Sequence, residues 1–171
     1  MYTSPIRLLA FDLDGTVLND QKQLTPRTLA ALTAAAERGV ALVPATGRTA
    51  AGLPAALLAL PGVRYAITSN GARVMDLAAG RALRELYIPR AAALAAYDIL
   101  AKYDCLADLF QDGAGYTTEA HRAAAARFVP ENLRAYVLNT RQVVPDLRAF
   151  IAGQARGIEK LTVFFLSEDE R

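Results

Sequence analysis

Asp12 and Asp14 stand two residues apart where the apolar run 6–11 gives out, and Gly15 and Thr16 follow at once. Two carboxylates projecting together can hold a hard cation, attack an electrophile or move a proton. Gly15 permits backbone angles that other residues resist, so the chain can turn sharply behind the acids. The run Ile6-Arg7-Leu8-Leu9-Ala10-Phe11 lacks polar alternation and predicts a strand buried on both faces in the middle of a parallel sheet. That would set both acids at the carboxyl end of a central strand, where open α/β sheets place their ligands. On local grounds alone, Asp-Gly is equally a turn signal with solvated acids.

Two further clusters close apolar runs. Thr46-Gly47-Arg48 follows residues 40–45, and a hydroxyl, an approachable glycine N–H and a guanidinium together suit a phosphate. The alternative there is a polar strand-to-helix turn with an exposed arginine. Ser69-Asn70-Gly71-Ala72 follows residues 65–68. Asn70 can orient a substrate, and an Asn-Gly turn accounts for it equally well.

The elements that must position these groups alternate at first. After a polar flap over residues 19–23, Thr25 caps a helix with Pro26 at its first position. Leu29, Leu32 and Ala36 form its apolar face and Gly39 stops it. The second strand, residues 40–45, then implies a right-handed parallel crossover. Leu53, Leu57 and Leu60 predict a second helix ended by Pro61-Gly62, followed by a third strand at 65–68. Residues 72–76 and 81–88 read as a hairpin about Ala79-Gly80, closed by Pro89. From Arg90 the order becomes α+β: a helix to about Tyr103, strands at 105–110 and 115–118, helices at 119–128 and 146–152, and a strand at 158–166 before an acidic end. A domain boundary is expected near 88–90.

With 171 residues, 53% of them hydrophobic, the chain can bury one domain or two small ones. A net charge of +2 with scattered basic residues argues against a nucleic-acid or polyanion partner. Cys105 is the single cysteine, which excludes an internal disulfide and a thiolate metal cluster and suits a small buried hydrophobe. His121 is the single histidine, which excludes a multi-histidine metal site, and is expected to face solvent from a helix. Residues 1–5 carry no signal-like segment and no run reaches membrane length, so a cytoplasmic protein without a membrane partner is expected. The first strand-to-helix turn lacks Gly-x-Gly-x-x-Gly, which disfavours dinucleotide binding.

Residues 12–18, Asp-Leu-Asp-Gly-Thr-Val-Leu, resemble the first signature of the haloacid dehalogenase-like (HAD) hydrolases, a superfamily dominated by phosphatases with an aspartate nucleophile. Thr46 stands where that family places the Ser or Thr of its second motif. Thr-Gly-Arg and Ser-Asn-Gly-Ala are similar to signatures of its Cof-like branch. The resemblance implies an α/β fold: part of a HAD-type Rossmann-like parallel sheet, with flap and hairpin, over residues 1–88, and part of an α+β cap domain over 89–171. It implies Mg²⁺-dependent hydrolysis of a small phosphorylated metabolite. Asp12 would be the nucleophile and a metal ligand. Asp14 would give the metal its backbone carbonyl and serve as acid and base. Thr46, Gly47 and Asn70 would contact phosphate or substrate, and Arg48 substrate or a neighbouring acid.

The sequence departs from the family pattern after its middle. Lysine occurs only at 22, 102 and 160, and no Gly-Asp dipeptide is present, so the third-motif lysine and the second acidic motif have no match. Asp108 and Asp112 read as charges flanking a cap hairpin, and Lys160 as a cap residue. The expectation is therefore the first portion of a longer phosphatase, its open sheet edge covered by a missing C-terminal half or by a partner subunit. Alternatives are a phosphomutase of the same superfamily and a non-catalytic binding or assembly module.

Overall fold

In the computed structural model of the protein, which describes residues 5–166, the chain forms two compact units, Met1–Glu85 and Leu86–Arg171. The acidic end at 167–171 lies outside the described residues.

The first unit begins with strand β1 (Leu8–Phe11), helix α1 (Pro26–Glu37) and strand β2 (Ala41–Pro44), with β1 and β2 parallel from Leu8↔Ala41 to Phe11↔Pro44. Helix α1 starts where its chemistry directs: the Thr25 hydroxyl accepts the Thr28 N–H at 3.2 Å, and Pro26 supplies the first turn. It ends before Gly39, whose φ of +78° is the left-handed conformation that favours glycine. A short helix α2 (Ala55–Leu58) precedes strand β3 (Tyr65–Thr68), which joins β2 through parallel bridges at Leu42↔Val63 and Ala45↔Ile67. Antiparallel strands β4 (Arg73–Asp76) and β5 (Arg81–Glu85) complete this unit. Leu13, Leu42, Leu57 and Ala66 are wholly buried in its core. Each such leucine contributes about 2 kcal/mol by leaving water.

Three expectations need correction here. Strand β1 is not buried on both faces, because Leu8 is 56% and Leu9 38% exposed and β2 is its one neighbour among the described residues. Absence of polar alternation reports two apolar faces; it does not supply what covers them. Leu29 is exposed, so Leu32 alone is the deeply buried position of α1. The stripe Leu53, Leu57 and Leu60 is buried as read, but Gly52 and Pro54 break the helix into a single 3₁₀ turn and the four residues of α2.

The second unit holds helix α3 (Arg90–Leu100), strands β6 (Cys105–Gln111) and β7 (Ala114–Thr117), helices α4 (Glu119–Phe128) and α5 (Glu131–Thr140), strand β8 (Arg141–Val143), helix α6 (Leu147–Gly153) and strand β9 (Lys160–Phe165). Its sheet runs β8-β7-β6-β9. Alternation along β6 sends Leu109 to a cluster with Ala93, Leu147 and Ile151, and Leu106 to one with Ala125, Phe128 and Val137. Helices thus cover both faces.

His121 does not face solvent: its Nδ1 lies 2.9 Å from the Ala107 carbonyl of β6. Cys105 is half-buried. Asp108 is no hairpin-flanking surface charge but is fully buried, taking the Arg141 Nε–H at 3.0 Å. Asp112 occupies the exposed turn, paired with Arg156 at 3.3 Å. Helix α5 and strand β8 had no counterpart in the expected order.

Lys160 Nζ lies 4.1 Å from the Phe110 ring centroid, and Arg141 lies 4.4 Å from it. Burial first, and the Arg141 charge second, push the Lys160 ammonium down to about 8. A lowered lysine pKa means that the unfolded chain binds more protons between about 8 and the ordinary 10.5, so this group adds stability as pH rises through that window. Urea unfolding at pH 7 and 9.5 should show wild type gaining about 1 kcal/mol relative to Lys160→Met. An equal pH response in the two proteins would contradict this placement of Lys160.

Candidate active site

Leu13 separates the two acids and is wholly buried. With the residue between them driven into the core, Asp12 and Asp14 are left on the solvent side at the end of β1, and both are exposed. The chain then winds about the Leu13 carbonyl, which accepts N–H groups from Thr16, Val17 and Leu18 at 3.3, 3.2 and 2.9 Å. Gly15, at φ +79°, makes that tight path accessible. The Thr16 hydroxyl donates to Asp12 Oδ2 at 3.2 Å.

The ladder of β1 and β2 carries the second cluster to the same end. Phe11 stands opposite Pro44, and the Ala45 N–H reaches the Phe11 carbonyl at 2.8 Å, so Thr46 follows directly beside the Asp12 turn. Thr46 is buried, and its hydroxyl oxygen accepts the Arg48 N–H at 3.2 Å, which leaves the hydroxyl proton able to donate. Arg48 is not an exposed turn residue. Its Nε and Nη2 donate to Asp14 Oδ2 and Oδ1 at 2.8 and 2.9 Å, and Nη1 donates to the Gly52 carbonyl at 3.0 Å. This fork-to-fork pair holds the two loops together.

The third loop is tied in through backbone bonds. Thr46 N–H donates to Ile67 O, Asn70 N–H to Thr46 O and Ser69 N–H to Arg48 O, at 2.9, 3.1 and 2.8 Å. Ser69 and Asn70 have φ of +51° and +57°, a left-handed conformation that asparagine tolerates and that strains the serine. Such strain collects at functional sites. It brings the Asn70 side chain against Gly47, where a Cβ would stand 2.6 Å from Asn70 Oδ1. Asp12, Asp14, Thr46, Gly47, Arg48 and Asn70 are therefore gathered at the carboxyl ends of three adjacent strands.

In the sequence Lys22 reads as a flap residue without a role. Its ammonium lies 3.1 Å from Asp14 Oδ1. No local signal marks that pairing, since a flap lysine looks like any solvated one. Hydrogen bonding from Arg48 above all, aided by Lys22 and opposed by partial burial, holds the Asp14 carboxyl below its ordinary value. Among the described residues, no three His, Cys, Asp or Glu side chains gather into a metal-holding group.

Comparison with known proteins places this geometry in context. The family model for haloacid dehalogenase-like hydrolases matches residues 9–154. An HMP-PP phosphatase of Escherichia coli O81 (strain ED1a) is 33% identical over 139 residues, which is 80% of this chain and 50% of that protein. The chain thus spans about half the length of the curated relatives it matches. A haloacid dehalogenase-like hydrolase structure from B. subtilis is 25% identical with a TM-score of 0.70, over 96% of this chain and 63% of that one. A HAD/COF-like hydrolase from Plasmodium vivax has a TM-score of 0.76 at 21% identity, over 99% and 59%.

The contact between Gly47 and Asn70 makes a specific demand on both. Gly47→Ala should cost about 1–2 kcal/mol, because the new methyl must displace the Asn70 side chain. In an Asn70→Ala background the same change should cost under about 0.5 kcal/mol, read by chemical denaturation as a double-mutant cycle. Equal costs in the two backgrounds would show that Asn70 does not fill the space beside Gly47.

Proposed function

The chain belongs to the haloacid dehalogenase-like hydrolases, and from that membership we propose that it is the nucleophile-bearing portion of a cytoplasmic phosphatase for small phosphorylated metabolites. The observation that carries this reading is the meeting of an exposed Asp12 with Thr46 and Gly47 at the ends of neighbouring parallel strands. The relative named a phosphatase supports the reaction class.

On this reading a carboxylate oxygen of Asp12 attacks phosphorus and the bond from phosphorus to the substrate's alkoxide oxygen breaks. Asp14 gives its carboxyl proton to the departing alcohol. Water then attacks the aspartyl-phosphate, passing a proton to the Asp14 carboxylate, and Asp12 is released with inorganic phosphate. The Thr46 hydroxyl and the Gly47 main chain stabilise charge spreading over the phosphoryl oxygens. Arg48 and Lys22 favour the charged form of Asp14, the form needed for the second step. For the first step its carboxyl must leave both cations.

The oxygen donors fit Mg²⁺, which is satisfied by one or two carboxylate or carbonyl oxygens and keeps water elsewhere. Asp12 would supply its exposed carboxylate and Asp14 its main-chain carbonyl. When bound, such an ion offsets the repulsion between a carboxylate and a phosphate dianion. The exposed β1 supports the further reading that a remaining part of a longer protein, or a partner subunit, covers that edge.

Hydrolysis of p-nitrophenyl phosphate with Mg²⁺ should be abolished by Asp12→Asn and lowered roughly 10- to 100-fold in kcat by Thr46→Val, in this chain or in a longer form continuing past Arg171. Inorganic phosphate should appear in step with the alcohol, which a phosphomutase would not show. Hydrolysis that survives Asp12→Asn would eliminate the mechanism.

A further inference from the structure

We propose that Lys22 is a positioning residue that pins the loop of residues 17–24 down onto Asp14, so that lifting the loop and loosening Asp14 are one event. The inference rests on the reading that Asp14 serves the reaction.

The loop is built as a fixed root and a turned tip. At the root, Leu18 is buried in the core and bridges both Asp14 and Leu24. At the tip, Asn19 N–H donates to Gln23 O at 3.0 Å, Lys22 N–H to Asn19 O at 2.9 Å and Gln23 N–H to Asn19 Oδ1 at 2.9 Å. Lys22 closes this turn with φ +60°, a left-handed conformation that glycine or asparagine would hold with less strain. The chain places there a long cationic side chain instead. That side chain is only 25% exposed, and its ammonium sits 3.1 Å from Asp14 Oδ1. Ordering a lysine costs rotamer freedom, so its placement needs a partner that holds it.

Asp14 is thereby gripped from two sides by unequal cations. Arg48 is buried and its fork is anchored from behind by the Gly52 carbonyl. Lys22 rides on a surface loop whose own backbone bonds are few. Oδ1 receives both Lys22 and Arg48 Nη2, while Oδ2 receives Arg48 Nε. With three donors on two oxygens, the carboxylate cannot rotate toward a neighbouring atom while the loop is down. Removing Lys22 frees one side of Oδ1 and unties the tip of the loop together.

Hydrogen–deuterium exchange on the chain without substrate tests this. Lys22→Met should speed exchange of the Asn19, Lys22 and Gln23 amides roughly two- to fivefold, the range an ion pair of this exposure commands, and leave α1 and β2 unchanged. Lys22→Arg should retain the protection. In an Asp14→Asn background, Lys22→Met should add nothing further. Unchanged exchange in Lys22→Met, or an equal rise in both backgrounds, would overturn the proposal. Asp12→Asn should leave the protection intact, so hydrolysis that survives Asp12→Asn beneath a protected loop counts against the phosphatase reading alone. An unprotected loop beside intact hydrolysis counts against the latch alone.

Discussion

The bidentate pair between Arg48 and Asp14 is the contact on which the site depends. It joins a residue just past β1 to one just past β2, with both carboxylate oxygens engaged at 2.8 and 2.9 Å. Hydrogen bonds to a charged group are shorter and stronger than neutral ones, and two in parallel also fix orientation. The pair acts on loops already aligned by the ladder from Leu8↔Ala41 to Phe11↔Pro44, so its work is fine placement. Backbone bonds from Ser69 to Arg48 and from Asn70 to Thr46 then fasten the third loop to the second. A lysine at position 48 would keep the charge and lose the fork, leaving Asp14 free to rotate about a single contact.

Much of this site was legible because its signals are local. Acid spacing, the glycine behind it, the Thr-Gly-Arg and Ser-Asn-Gly turns and the apolar runs preceding them all lie within a few residues of what they determine. Helix α1 was readable from Thr25, Pro26 and Gly39 for the same reason. What escaped depends on partners distant in the chain. For Arg48 the local sequence leaves an exposed turn residue, a substrate contact and a contact to a neighbouring acid all open, and the pairing with Asp14, 34 residues earlier, decides for the acid. Asp108 reads as a surface charge until Arg141, 33 residues later, is buried against it. His121 looks solvent-facing because helix periodicity cannot show that β6 offers it the Ala107 carbonyl. Helix α5 was hidden by its own composition, since Asn132, Tyr136, Asn139 and Thr140 interrupt any clear apolar stripe.

The second unit shows a different use of charge. Lys160, Phe110, Gly115 and Arg141 stand in one cross-strand row of the sheet, and Gly115 leaves the gap that the Arg141 side chain fills; a Cβ there would stand 2.5 Å from Arg141 Cδ. Arg141 can thus reach Asp108 on β6 and lie over Phe110 at once. Desolvating such a pair consumes most of its attraction, so it adds little net stability over an apolar replacement. Removing one partner alone would strand a buried charge. The row therefore constrains register more than it stabilises: a slip of one residue along β6 would put Asp108 on the face packed by α3 and α6, away from Arg141.

Strand β1 has two obligations that pull against each other. It carries Asp12 at its end, which the proposed reading needs held still, and it is also the less covered strand of its pair with β2, with Leu8 56% and Leu9 38% exposed. A parallel strand with one neighbour has an unpaired edge and is free to fray on that side. The position of Asp12 is consequently only as firm as β2 and the Leu13 anchor make it. On the proposed reading, whatever covers the edge in the whole protein does more than bury leucines: it stiffens the strand whose last turn aims the nucleophile. Coverage of β1 and competence of Asp12 then become coupled, and an uncovered edge lowers activity even where every residue of the cradle is in place.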